Sequence, residues 1–177
     1  MSRPIPEKEY QRSVYEDKFN RLAEVMKQFL DLYPTTQLKG QTQDMIYILQ
    51  DKLVEKEYLA AKMYYDLGTY RGNSTYGGSN YDACIVTAQN ALKDFPFATA
   101  ARREELSIMI LRARYHLAVQ SVVEKRIERF RNVIDEFYAF ENDYPESKYM
   151  AEARKIFERS EQIVKKKKLN LIEEELF

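Results

Sequence analysis

The sequence predicts an all-α fold built from repeated helical hairpins, on three observations. Turn residues are scarce: five glycines and five prolines in 177 residues, about half the usual share of roughly 12%. β-Sandwiches and α/β barrels need many more. Three of the prolines follow an aromatic residue, at Tyr33-Pro34, Phe95-Pro96 and Tyr144-Pro145. Proline disfavours helical geometry in the residue before it, so each pair reads as a helix stop. Upstream of each proline the same pattern recurs, at 15, 12, 8 and 5 residues before it. The positions are Phe19, Leu22, Met26 and Phe29; Tyr81, Cys84, Ala88 and Ala91; and Phe130, Val133, Phe137 and Phe140. Steps of 3, 4 and 3 put each set on one helical face, and agreement across three segments marks an internal repeat.

Taken in order, residues 7–34 read as the second helix of a repeat. No convincing first helix precedes it, because Pro4 and Pro6 interrupt the start of the chain. Such a half-repeat leaves apolar surface uncovered, so the chain reads as the C-terminal portion of a longer repeat protein. Residues 41–67 form a long helix carrying Met45, Leu49, Leu53, Ala60, Met63 and Leu67. At about 1.5 Å per residue it is about 40 Å long. It opens a repeat over 41–96 interrupted by an insertion over 68–80, which holds four of the five glycines and is expected to be an exposed, mobile connection. A further repeat spans 99–145, with a helix expected over 106–123. A capping helix follows over 147–168, its apolar face made by Tyr149, Ala153, Ile156, Phe157 and Val164. The tail, 169–177, mixes apolar residues with Glu173, Glu174 and Glu175 and is expected to fray. The whole is read as one helical-repeat domain, 1–177.

The recurring spacing is that of the second helix of a tetratricopeptide repeat (TPR). Ala61, Tyr64, Gly68 and Tyr70 follow the spacing of its first helix. The expected architecture is therefore TPR-like helical hairpins stacked in a right-handed superhelix, with a concave face suited to a peptide or a partner's loop. Leu22, Cys84 and Val133 stand where Ala is usual, and Phe29 and Phe140 are larger than usual, which pushes paired helices apart. The prolines are 62 and 49 residues apart, rather than about 34. The long helix and the glycine-rich insertion absorb the excess.

Composition excludes several function classes. Lys+Arg 28 balances Asp+Glu 28, so the basic excess of a nucleic-acid binder is missing. No run approaches the ~18 apolar residues of a membrane span, and the first six residues contain no signal-peptide core. The single histidine, His116, has no Cys or His at ligand spacing and reads as structural or surface. Cys84 falls on the apolar stripe and reads as a small buried residue. Residues 72–79 have glycines placed somewhat as in a phosphate-binding loop, but Gly78 occupies the place of the essential Lys and a helix precedes the loop. Glu104-Glu105 and Asp135-Glu136 are adjacent pairs that splay around a helix rather than converge. Lys165 to Lys168 suit the end of their helix through its dipole; the sharper alternative is an acidic partner or an anionic lipid surface. No catalytic group, cofactor or metal site is expected.

Three segments together resemble a known family. They are Leu49-Gln50-Asp51-Lys52-Leu53-Val54-Glu55-Lys56-Glu57 with Ala61, Tyr64-Tyr65 and Gly68-Thr69-Tyr70; Ala88-Gln89-Asn90-Ala91-Leu92-Lys93-Asp94-Phe95-Pro96; and Tyr115, Ala118, Ser121, Arg129 and Phe140 leading to Tyr144-Pro145-Glu146-Ser147-Lys148-Tyr149 with Glu152-Ala153. Over about residues 15–165 this set resembles the BamD-type (YfiO-like) lipoproteins of the outer-membrane β-barrel assembly (BAM) machinery. The resemblance implies a non-enzymatic periplasmic adaptor at the outer membrane. It would dock onto the periplasmic domains of the barrel insertase and other BAM components, held by a lipid anchor that this chain lacks. The family's first repeats and lipobox find no counterpart in these segments, and the resemblance implies that the matching part is the half used mainly for docking. Neither nucleic acid nor a small-molecule substrate is expected.

Fourteen tyrosines and no Trp supply rigid amphipathic anchors for such a surface. The candidate protein-binding residues are Tyr64, Tyr65, Tyr70, Arg71, Tyr76, Tyr149, Lys165 and Lys166. Two other functions fit the same repeats: a TPR scaffold for an unknown client, and a helical-repeat glycan-capture outer-membrane lipoprotein.

Overall fold

The computed structural model describes the backbone of residues 7–70 and 79–176, with side chains at residue 18, over 21–70 and over 79–166. Six α-helices and no strand occur among the described residues. They are α1 (Glu7–Leu32), α2 (Lys39–Leu67), α3 (Asn80–Asp94), α4 (Ala100–Val119), α5 (Val123–Asp143) and α6 (Met150–Leu176). Neighbouring helices pack on one another in the manner of helical repeats. The chain divides into two compact units, Met1–Lys56 and Glu57–Phe177, and α2 begins in the first and ends in the second.

The three aromatic-Pro pairs terminate α1, α3 and α5 with the same hydrogen bonds. The aromatic N–H donates to the carbonyl four residues back: Tyr33 to Phe29 at 2.9 Å, Phe95 to Ala91 at 3.1 Å, Tyr144 to Phe140 at 2.9 Å. Its own carbonyl then accepts from the residue three ahead, Thr36, Ala98 or Ser147, at 3.0–3.1 Å. Proline is pre-set for the second position of such a turn, so the next helix starts within a few residues.

In the Glu57–Phe177 unit, α4 is the shared helix. Leu106, Met109, Ile110 and Ala113 join Ala61 of α2 and Tyr81, Cys84, Ile85, Ala88 and Ala91 of α3 in one core cluster. Ile108, Leu111 and Ala118 join Phe130, Val133, Phe137 and Phe140 of α5 and Ala153 of α6 in a second. A helix apolar on two sides must be covered on two sides, and α4 is. In the Met1–Lys56 unit Ala23, Ile46, Leu49 and Val54 are buried.

Two expected boundaries differ. The helix expected over 106–123 starts at Ala100, capped by the Thr99 hydroxyl accepting from the Arg102 N–H at 3.3 Å, and ends at Val119. The turn after it contains neither Gly nor Pro, which is why periodicity ran through it. Ser121 builds it: its hydroxyl donates to the Leu117 carbonyl and accepts from Arg129 Nη1 at 2.7 Å, while its carbonyl accepts from Arg126 Nη2 at 3.0 Å. The tail expected to fray is helical to Leu176. It lacks Gly and Pro, and Leu and Glu are strong helix formers.

Gly68 ends α2 with φ +50°, in the left-handed region. A Cβ there would lie 2.8 Å from the Tyr81 hydroxyl oxygen. Asn80 Nδ2 donates to the carbonyls of Gly68 at 3.1 Å and Tyr70 at 2.7 Å, drawing the two ends of the insertion together. Gly68→Ala is expected to cost about 1–2 kcal/mol from the backbone conformation alone, read as a lower urea midpoint at unchanged slope.

Candidate functional site

Within the Glu57–Phe177 unit, α2, α4 and α6 share a polar and aromatic face. It is built on α4, whose Arg102, Glu105, Arg112 and His116 recur at helical spacing. At one end the Arg102 guanidinium lies 3.9 Å from the ring centre of Tyr58 on α2, and Arg102 Nη1 meets Glu105 Oε2 at 2.8 Å. In the middle Arg112 grips Glu152 of α6 with two parallel hydrogen bonds, Nε to Oε1 at 2.7 Å and Nη2 to Oε2. The same guanidinium lies 5.2 Å from the ring centre of Tyr149, and Lys148 Nζ lies 4.9 Å from that ring. At the other end His116 stacks on Tyr81 of α3, centroids 5.1 Å apart at 12°. The rings of Tyr65 and Tyr115 meet its imidazole near edge-on, each at 5.9 Å.

Several groups in and beneath this face are displaced from their ordinary pKa values. The Arg112 hydrogen bonds hold the Glu152 carboxyl below the usual carboxylate range, against a smaller opposing effect of burial. Burial pushes the Tyr65 hydroxyl up, opposed by the Arg112 charge, so it stays a neutral donor. A hydrogen bond with Tyr149 raises Lys148. Burial pushes the Cys84 thiol up to about 12, which leaves it an inert packing group. No cluster of three or more His, Cys, Asp or Glu that could hold a metal occurs among the described residues. The face therefore offers flat aromatic surface, one bidentate ion pair and exposed cation-π edges, groups common at the energetic centres of protein interfaces.

Burial lowers the His116 pKa below 6.5. A base depressed in the folded state binds fewer protons there than in the unfolded chain. Its contribution to stability is full above about pH 6.5 and declines as pH falls past that value, until the folded-state pKa is passed. Comparing Tm of wild type and His116→Phe between about pH 7.5 and 5.5 checks this. Wild type is expected to lose Tm over that range more steeply than the variant.

The residues singled out from sequence separate in space. Tyr64 and Tyr65 both pack against the first core cluster, and Tyr65 meets Tyr81 at 5.9 Å. Tyr149 lies under the Arg112 guanidinium, whose charge also lowers the pKa of the Tyr65 hydroxyl against the effect of burial. Tyr70, within the insertion, is 70% exposed; Arg71 and Tyr76 lie outside the described residues. Lys165 and Lys166 do not join the others. They sit about 24 Å further along α6 than Tyr149 at about 1.5 Å per residue, Lys165 paired with Glu161 at 2.8 Å. Arg112, Glu152, Tyr58 and Arg102 were missed. The spacing of Arg102, Glu105, Arg112 and His116 on α4 was a readable signal; the Arg112–Glu152 pair spans 40 residues and left none.

Among the described residues no helix is long and apolar enough to cross a membrane. Compared with known proteins, the chain matches no protein-family model, and no curated protein matches it significantly.

Proposed function

We propose that this chain is a non-enzymatic docking adaptor that grips a partner protein through the α2/α4/α6 face, and that it serves the BAM machinery at the periplasmic face of the outer membrane. The single observation that carries the docking role is the Arg112 guanidinium, locked by two hydrogen bonds to Glu152 beside the Tyr149 ring. Tyr and Arg dominate the energetic centres of protein interfaces, and side chains already fixed lose little entropy on binding. The choice of machinery comes from the BamD-type motifs, above all residues 49–70 and 144–153. On this reading the partner is the barrel insertase, contacted at its periplasmic domains, and no bond is made or broken.

Affinity capture from detergent-solubilised outer-membrane envelopes tests the assignment. The tagged protein should recover a barrel protein with tandem periplasmic domains in near-stoichiometric amount. Recovery of soluble cytoplasmic proteins alone would instead identify a scaffold for another client.

A further inference from the structure

Lys165 and Lys166, which lie apart from the docking face, belong to a larger feature of α6. Between 154 and 166 seven side chains are exposed: five are Lys or Arg, one is Glu158 and one is Gln162. The chain as a whole has no net charge, so this excess is local. Arg154 and Lys165 are held by Glu141 at 3.0 Å and Glu161 at 2.8 Å. Lys155, Arg159 and Lys166 have no ion-pair partner among the described residues. Steps of 4 and 7 keep these three within about 40° of one line along the helix, over about 17 Å. That line is turned away from Ala153 and Ser160, which are buried. Solubility asks only for mixed charge on an exposed face. A face of nearly one sign concentrates a field that attracts anions.

We propose that the outer face of α6 rests on an anionic lipid surface, with Lys155, Arg159 and Lys166 as its contacts. Three observations favour lipid headgroups over an acidic protein. No large apolar side chain is exposed among the described residues of α6, whereas a protein interface is centred on desolvated aromatic or apolar anchors. A polybasic face adsorbs to headgroups without them. The row runs along one unbroken helix, so a flat layer meets all three charges at once. Two of the three are Lys, a hydrated point charge, whereas paired recognition of carboxylates favours the Arg fork. Together the three cations favour an anionic over a neutral layer by about 100-fold. Glu173 to Glu175 begin seven residues past Lys166, about 10 Å along the helix and a Debye length away at about 0.1 M salt.

Co-sedimentation of the full chain with vesicles tests this, using phosphatidylcholine alone or with about 30% phosphatidylglycerol. Wild type should bind the anionic vesicles at least about 10-fold better than the neutral ones, and be released as salt rises from about 0.05 to 0.5 M. Lys155→Glu combined with Arg159→Glu should weaken that binding at least about 10-fold. Both sites are exposed and Glu is as good a helix former as Lys or Arg, so far-UV circular dichroism should be unchanged. Equal binding to both vesicle types overturns the proposal, as does undiminished binding by the double variant. Wild type that ignores the vesicles overturns it too, and its capture by poly-glutamate would assign the row to an acidic polypeptide. No insertase takes part, so the outcome is independent of the docking role.

Discussion

Phe130→Ala is expected to remove about 3–5 kcal/mol of stability from the Glu57–Phe177 unit. Phe130 is 1% exposed and lies in the cluster that joins α4, α5 and α6. Its ring contacts Tyr115 edge-on at 6.1 Å and shares the cluster with Val133, Phe137 and Phe140, and close-packed neighbours relax only partially into the space left behind. The loss combines the transfer energy of the ring with the cavity it vacates. For a unit of this size the melting temperature should fall by about 10–20 °C. Phe130→Leu keeps most of the volume and should cost under about 1.5 kcal/mol. Chemical denaturation of both variants checks the pair, and a loss below about 1 kcal/mol for Phe130→Ala would mean that α5 is not a core helix.

Removing the guanidinium at the centre of the face should have the opposite signature, a binding loss with little loss of fold. Arg112 and Glu152 keep 28% and 46% of their side-chain surface, so their ion pair contributes at most about 1 kcal/mol to stability. In a partner's shadow the same group is desolvated, and truncating an interface anchor of this type costs about 2–4 kcal/mol, or about 30- to 1000-fold in affinity. Arg112→Ala should therefore abolish partner recovery while the melting temperature moves by only a few degrees. Arg112→Lys keeps the charge but not the fork that meets both Glu152 oxygens, and should recover only part of the binding. Tyr65→Ala should weaken binding too. Its effect and that of Arg112→Ala should fall short of additive in the double variant if one partner segment covers both residues of the α2/α4/α6 face.

The helical-repeat arrangement was legible because its signals are local. A proline beyond the first turn ends or kinks a helix by local sterics alone, and Tyr81, Cys84, Ala88 and Ala91 face inward at a spacing that any helix imposes. The stop at Val119 was not, since Ser121 makes that turn with bonds from Arg126 and Arg129 that exist only once α5 has folded back. The site divides the same way. Tyr65 and Tyr149 were visible as interface-type residues near helix ends. Their connection through Arg112 and Glu152 was not, because an ion pair between α4 and α6 depends on how helices stack. His116 reads as inert when only metal ligands are sought; its place between Tyr65, Tyr81 and Tyr115 comes from three different helices.

The most direct measurement is a calorimetric titration of the purified chain with the periplasmic domains of the barrel insertase. Wild type is expected to bind in the low micromolar range or tighter (~8 kcal/mol or more), and Arg112→Ala to show no measurable heat at the same concentrations. No binding by the wild type would contradict the adaptor role in barrel assembly. Equal binding by wild type and Arg112→Ala would place the docking surface away from the α2/α4/α6 face.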